Sequence, residues 1–322
     1  MSALSKASTC SIMNSSNPRS HQTERKTHLT AILQAFLVTF LWSTSWVLVK
    51  YGLEDIPAFT FAGMRYSLAF VLLLPVFFRS GQARLLPHLT RQQWLRLALL
   101  GLVYYTITQG TQFLGLELLP AITFSLLLNL SAPLVALLSI PLLKELPTRL
   151  QWAGIGVFLV GVLVYFYPVF IPAGMAFGLL VGMTSVAATS AASIIGRGIN
   201  RLGQIPALTV TVVSMGIGGI VLLVFGLLAE PPPRLGWVQW GIVLWLALVN
   251  TAFAFTLWNL TLRILSATES SMINNSMLVQ IAVLAWIFLG ERPGVPQLIG
   301  MAFALAGTMM VNLRRATPQS SR

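Results

Sequence analysis

The stretch from Ala121 to Val164 recurs from Ala267 to Met310 at a displacement of 146 positions, with 12 of the 44 aligned residues identical. Ser125 and Ser271, Asn129 and Asn275, Glu145 and Glu291, Pro147 and Pro293, Gln151 and Gln297, Gly154 and Gly300, and Gly161 and Gly307 are among the matches. A chain with only 8 acidic residues does not place Glu-x-Pro-x-x-x-Gln-x-x-Gly twice by composition. The chain is therefore read as a duplication, and its function is expected between the two copies.

Hydropathy decides what the copies are made of. The 322 residues are 56% hydrophobic and 9% charged, and they contain repeated stretches of about 20 residues almost free of charge, the length that crosses ~30 Å of hydrocarbon. The class expected is an all-α polytopic membrane protein in a lipid bilayer. The single Cys10 excludes a disulfide framework within the chain. A net charge of +12 does not indicate nucleic acid, because the basic residues are scattered in short segments between apolar runs.

Ten spans are expected near 30–50, 57–78, 93–115, 119–142, 150–168, 173–195, 205–228, 236–259, 266–289 and 296–313. They divide into repeats of five, 29–168 and 169–314, flanked by a polar tail over 1–28, expected to be disordered, and a short tail over 315–322. Prolines mark several helix starts, among them Pro57, Pro120, Pro147 and Pro206. Placing the N-terminus in the cytoplasm puts 16 Lys and Arg on that side against 3 opposite, with Arg65 inside a span. Positive loops stay cytoplasmic, so both termini are expected there. An odd number of spans per repeat then inserts the two copies in opposite senses, with Glu145 facing the cytoplasm and Glu291 facing outside. Such inverted repeats are the usual plan of a secondary transporter working by alternating access.

A transporter must replace hydration with hydrogen bonds inside hydrocarbon, so mid-span polar groups are candidate ligands. Span 9 carries Thr268, Ser271 and Asn275 at helical spacing, with Gln280 beside them; span 4 carries Ser125 and Asn129; the two stripes are expected to face each other. Span 3 brings Tyr105 and Gln109 to one face, and span 8 brings Asn250 and Trp258. Trp42 and Trp46 lie within span 1. These nine, Trp42, Trp46, Tyr105, Gln109, Asn129, Asn250, Trp258, Asn275 and Gln280, form the candidate substrate site. The plainer role for each is helix packing, since interhelical hydrogen bonds and buried aromatics do that work too.

Charged groups near the spans are read as structural or gating. Lys50 ends the first span as an interfacial charge. Arg65 must pair, snorkel or reach a wet cavity, and a pairing near the outer surface with Glu54, Asp55 or a carbonyl stands beside anion binding. Glu269 fits a capping box with Ser266, which weighs against a proton-carrying role. Glu145 and Glu291 are expected to close their hairpins or to gate. Small residues in spans 5 and 10, including Gly154, Gly161, Gly300 and Gly307, suit close helix packing or contact within a homodimer.

Leu41-Trp42-Ser43-Thr44-Ser45-Trp46-Val47-Leu48-Val49-Lys50, Phe61-Ala62-Gly63-Met64-Arg65-Tyr66 and the doubled Glu-x-Pro hairpin resemble the ten-span EamA-type permeases of the drug/metabolite transporter superfamily, over roughly residues 30 to 313. The resemblance implies export of small metabolites such as amino acids or related amines across the plasma (inner) membrane. It also implies a central cavity, with spans 5 and 10 as outer scaffold. One feature departs from that family: Pro133 in span 4 is matched by Val279 in span 9, where those proteins commonly carry a second proline. No cofactor is expected, and a proton is the candidate coupling ion. The alternatives are an intramembrane enzyme, for which no acid-base pair is evident, and a channel or scaffold without solute coupling. ATP-driven transport lacks its phosphate-binding loop.

Overall fold

A computed structural model describes residues 18–143, 147–167, 173–201, 203–262, 264–265 and 267–312, and its regular elements there are all helices. Helix α1 is Pro18–Gly52 and α2 is Ala58–Arg79, followed by a short 3-10 segment at Gln82–His88. Helix α3 covers 91–118 as Arg91–Leu100, a π-helical Gly101–Thr108 and Gln109–Leu118. Helix α4 covers 121–143 in two pieces, Ala121–Asn129 and Ser131–Leu143. Next come α5 (Arg149–Tyr165), α6 (Ala173–Arg201) and α7 (Ala207–Ala229). Helix α8 covers 237–261 as Trp237–Ala247, a π-helical Leu248–Phe253 and Ala254–Thr261. Helix α9 covers 267–289 as Ala267–Asn275 and Met277–Leu289, and α10 is Val295–Asn312.

Eight of these are long and apolar enough to cross a bilayer: α1, α2, α4 and α6 to α10. The other two expected spans coincide with α3 and α5. Helix α5 has 17 residues, about 26 Å at the helical rise, and α3 begins on the polar run Arg91-Gln92-Gln93. Helix α1 is described back to Pro18, inside the stretch read from sequence as a tail. The Gln, Glu, Arg and Lys of this stretch are good helix formers.

Packing joins like-numbered helices of the two copies. Helix α5 lies on α10 and α2 lies on α7, while α1 packs on α8 and α9, and α6 on α3 and α4. Glycine makes the first two contacts possible. A Cβ added at Gly307 would stand 2.4 Å from the backbone nitrogen of Phe158, and one at Gly63 would stand 2.4 Å from the Cα of Leu223. The main core draws on both copies, with Phe61, Phe113 and Phe124 beside Leu222, Leu246 and Leu278.

The copies also share their irregularities. The π-helical turns at 101–108 and 248–253 coincide once the 146-residue displacement is applied, as do the breaks at Leu130 in α4 and Ser276 in α9. In each π-turn a threonine returns its hydroxyl to the carbonyl five residues back, Thr108 to Val103 at 2.9 Å and Thr251 to Leu246 at 2.8 Å. Helix α9 breaks where α4 does although it lacks the equivalent of Pro133. There the Ser276 hydroxyl donates to the Ile273 carbonyl at 2.6 Å, a local bond that competes with the helical ladder.

Candidate functional site

At one end of the molecule, helix termini are fastened by charged side chains from elsewhere in the fold. Prolines at the N-caps of α2 and α4 have no side-chain acceptor, so the first free N–H groups need one from outside. Glu291 supplies it for α4, accepting from Ala121 N–H at 2.6 Å and Ile122 N–H at 2.9 Å. Glu230 does the same for α2, accepting from the N–H groups of Phe59 and Thr60 at 2.9 and 2.7 Å and from the Thr60 hydroxyl at 2.8 Å. Both carboxylates come from the second copy and both helices from the first. Lys50 caps the opposite pole of a helix dipole, donating to the carbonyls of Leu116 and Leu119 at the end of α3 at 2.5 and 2.9 Å. Tyr51 donates to the Phe288 carbonyl, and Gln239 to the Asp55 carboxylate. Above these contacts an open depression of about 500 Å³ is lined by residues including Lys50, Glu54, Pro120, Phe288 and Glu291.

Deeper along α1, polar groups tie it to the second copy. The Gln280 amide accepts from the Ser43 hydroxyl at 3.0 Å and donates to Thr39 Oγ1 at 3.2 Å and Ser276 Oγ at 2.9 Å. Asn250, fully buried, donates from Nδ2 to the Leu41 carbonyl and to Thr44 Oγ1; its Oδ1 has no partner among the described residues. Trp42 meets both Phe255 and Trp258 at ring separations of 5.4 Å, and Trp46 meets Phe124 at 5.9 Å. Near the far end of α1, His28 and Glu269 approach to 3.1 Å.

A second polar group sits where α2, α3 and α8 meet. Arg65 is 6% exposed and is the one charged residue among those described as buried. Its Nε donates to Thr251 Oγ1 at 3.1 Å, and its guanidinium carbon lies 5.3 Å from the centre of the Tyr66 ring. The Tyr66 hydroxyl donates to Gln109 Oε1 at 2.6 Å, and Tyr105 stands edge-on to Tyr66 and Tyr104 at 5.4 and 4.9 Å.

The nine expected ligands thus fall into separate groups. Trp42, Asn250, Trp258 and Gln280 meet along α1, Tyr105 and Gln109 gather near Arg65, and Trp46 packs on Phe124. Two amides look elsewhere. Asn129 returns its amide to the Ser125 carbonyl of its own helix at 2.8 Å, and Asn275 accepts from Asn312 of α10 at 3.2 Å. Neither amide bonds to the other. Arg65 pairs with Thr251 rather than with Glu54, Asp55 or a carbonyl. Ser266, the expected capping partner of Glu269, and Glu145 both lie outside the described residues, as does the Ser271 side chain. Sequence reading missed Glu230 and Thr251. A proline N-cap without an acceptor was the available signal for the first; the second depends on a π-turn that leaves no mark in composition.

Comparison with known proteins places this architecture. A family model described as the EamA-like transporter family matches residues 29–167 and again 176–313. An uncharacterized transporter from Archaeoglobus fulgidus is 26% identical over 296 residues, covering 90% of this chain and 98% of the relative. An S-adenosylmethionine/S-adenosylhomocysteine transporter from Chlamydia trachomatis is likewise 26% identical over 296 residues, covering 87% of this chain and 88% of the relative. A solved crystal structure superposes with a TM-score of 0.63 at 19% identity, over 88% of this chain and 97% of that one, which speaks to fold alone.

Proposed function

We propose, since this chain belongs to the EamA-like transporter family of the drug/metabolite transporter superfamily, that it is a secondary transporter exporting small metabolites by alternating access. Family and relatives point to transport rather than catalysis. In the proposed arrangement ten spans form two inverted five-helix repeats in the plasma membrane, with both termini cytoplasmic. The observation that carries the reading is the matched pair of irregularities. The π-turns in α3 and α8 and the breaks in α4 and α9 recur at the repeat displacement, and irregular backbone at membrane depth is tolerated only inside protein or along a wet path. Polar candidates cluster on or beside these turns, as Tyr105, Gln109, Asn250 and Gln280 do.

Cargo related to amino acids fits the aromatic and amide groups around Trp42, Trp258 and Gln280, and fits the S-adenosylmethionine/S-adenosylhomocysteine transport for which the chlamydial relative is named. The test is solute flux in proteoliposomes, measured with labelled amino acids and their derivatives, with and without a pH gradient. Flux that saturates and shows counterflow is expected. Leakage without saturation would favour a channel.

A further inference from the structure

We infer that Arg65 and Gln109, set on the face and at the tip of the Tyr66 ring, form an anion subsite that holds a carboxylate of the transported solute. The inference deepens the transporter reading and rests on it. Arg65 carries five N–H donors, of which only Nε–H finds an acceptor among the described residues. Gln109 is also 6% exposed. Its Oε1 is taken by the Tyr66 hydroxyl, and its Nε2 donates to no described residue. The Tyr66 ring links the two, with the Arg65 guanidinium over it and the Gln109 amide at its hydroxyl. A full positive charge and an amide N–H₂ thus both lie against the Tyr66 side chain, and the acceptors are already engaged.

The described acids lie elsewhere. Glu230 and Glu291 hold helix N-termini, Asp55 accepts from Gln239, Glu269 lies against His28, and Glu54 and Glu117 are exposed. One hydroxyl and one ring face do not replace the hydration of a buried guanidinium. A ligand that brings its own negative charge does, through a planar fork that matches a carboxylate. A single cation suits a monoanion better than a phosphate dianion, and it repels an amine that lacks an acid. The cargo class is therefore a carboxylic acid or a zwitterion, with Tyr104 and Tyr105 nearby for an apolar or aromatic body.

The test uses the purified full chain in proteoliposomes and counterflow of labelled L-amino acids, each beside its carboxamide and its decarboxylated amine. Acids should exceed carboxamides by roughly tenfold or more, the scale of a charge-assisted contact, and amines should fail. Arg65→Lys should keep that order with a raised KM, and Arg65→Gln, checked for monodispersity, should bring the acid-to-amide ratio close to one. If Arg65→Gln does not fold, wild type and Arg65→Lys decide the matter. Equal flux of acids and amides through the wild type, or parallel loss of both in Arg65→Gln, overturns the subsite and leaves the transporter reading standing. No flux of any panel member through the wild type would remove that reading, and the subsite with it.

Discussion

Gln280 uses both ends of its amide to bind α9 to α1 and to the broken turn at Ser276. Interhelical hydrogen bonds inside membranes average ~0.6 kcal/mol, so the two that reach α1 contribute roughly 1 kcal/mol, too little to make the residue indispensable for folding. Gln280→Leu is therefore expected to leave a folded, membrane-inserted protein while flux falls at least tenfold; flux and folded yield falling in step would make Gln280 a packing residue. Asn275 should behave in the opposite way. Its partner is Asn312 on α10, so Asn275→Leu should lower melting temperature and flux together, by amounts that track expression. Sequence alone made both amides visible, because an amide inside hydrocarbon must find partners. It did not show which neighbour each one meets. Asn275 and Gln280 lie on either side of a break, and a helical stripe drawn through them assumes one continuous axis.

The helices themselves were largely legible, for charge-free runs and N-terminal prolines mark most of them to within a few residues. What stayed hidden was their irregularity. A π-turn differs from an α-turn by one residue of register, and Gly101–Thr108 has no composition that announces it; its neighbours in the fold select it. Small residues at turn spacing marked α5 and α10 as suited to close packing or dimer contact, and the structure shows that they engage each other. A Cβ at Gly307 would meet the backbone of Phe158 at 2.4 Å, while one at Gly156 would meet nothing within 4 Å. Gly307→Val should therefore destabilise by about 1–3 kcal/mol or more, since a backbone cannot step aside as a side chain can, and Gly156→Ala should be close to neutral. Melting of the two variants in detergent checks the pair. Equal melting temperatures would mean that the two helices do not pack as described.

At the scale of the molecule, side chains fasten the two copies at both ends of α1. The Lys50 end has Lys50 on the α3 terminus, Glu291 on the α4 terminus and Glu230 on the α2 terminus; at the opposite helix ends stand the half-exposed His28–Glu269 contact, the Thr209 hydroxyl donating to Gln82 and the Gln151 amide donating to the Val311 carbonyl. If the halves rock about a central site, the clasps at the Lys50 end must release for that end to open. Glu291 is the informative one to remove, because it joins the second copy's hairpin to the first copy's helix through two charge-assisted bonds. Charged hydrogen bonds contribute about 1.5–3 kcal/mol, and every 1.4 kcal/mol is about tenfold in a population. Glu291→Ala should raise the share of molecules open at this end by roughly tenfold or more, with Glu291→Gln intermediate because one oxygen remains to accept. In a background carrying Cys10→Ser, a cysteine placed at Thr39 should then react faster with a membrane-impermeant thiol reagent added from the Lys50 side. Glu54→Ala, at an exposed position on the same rim, should leave that rate where it was. Labelling that ignores Glu291 would mean that the carboxylate caps a helix and gates nothing, and the closing of this end would have to be sought in the Lys50 contacts.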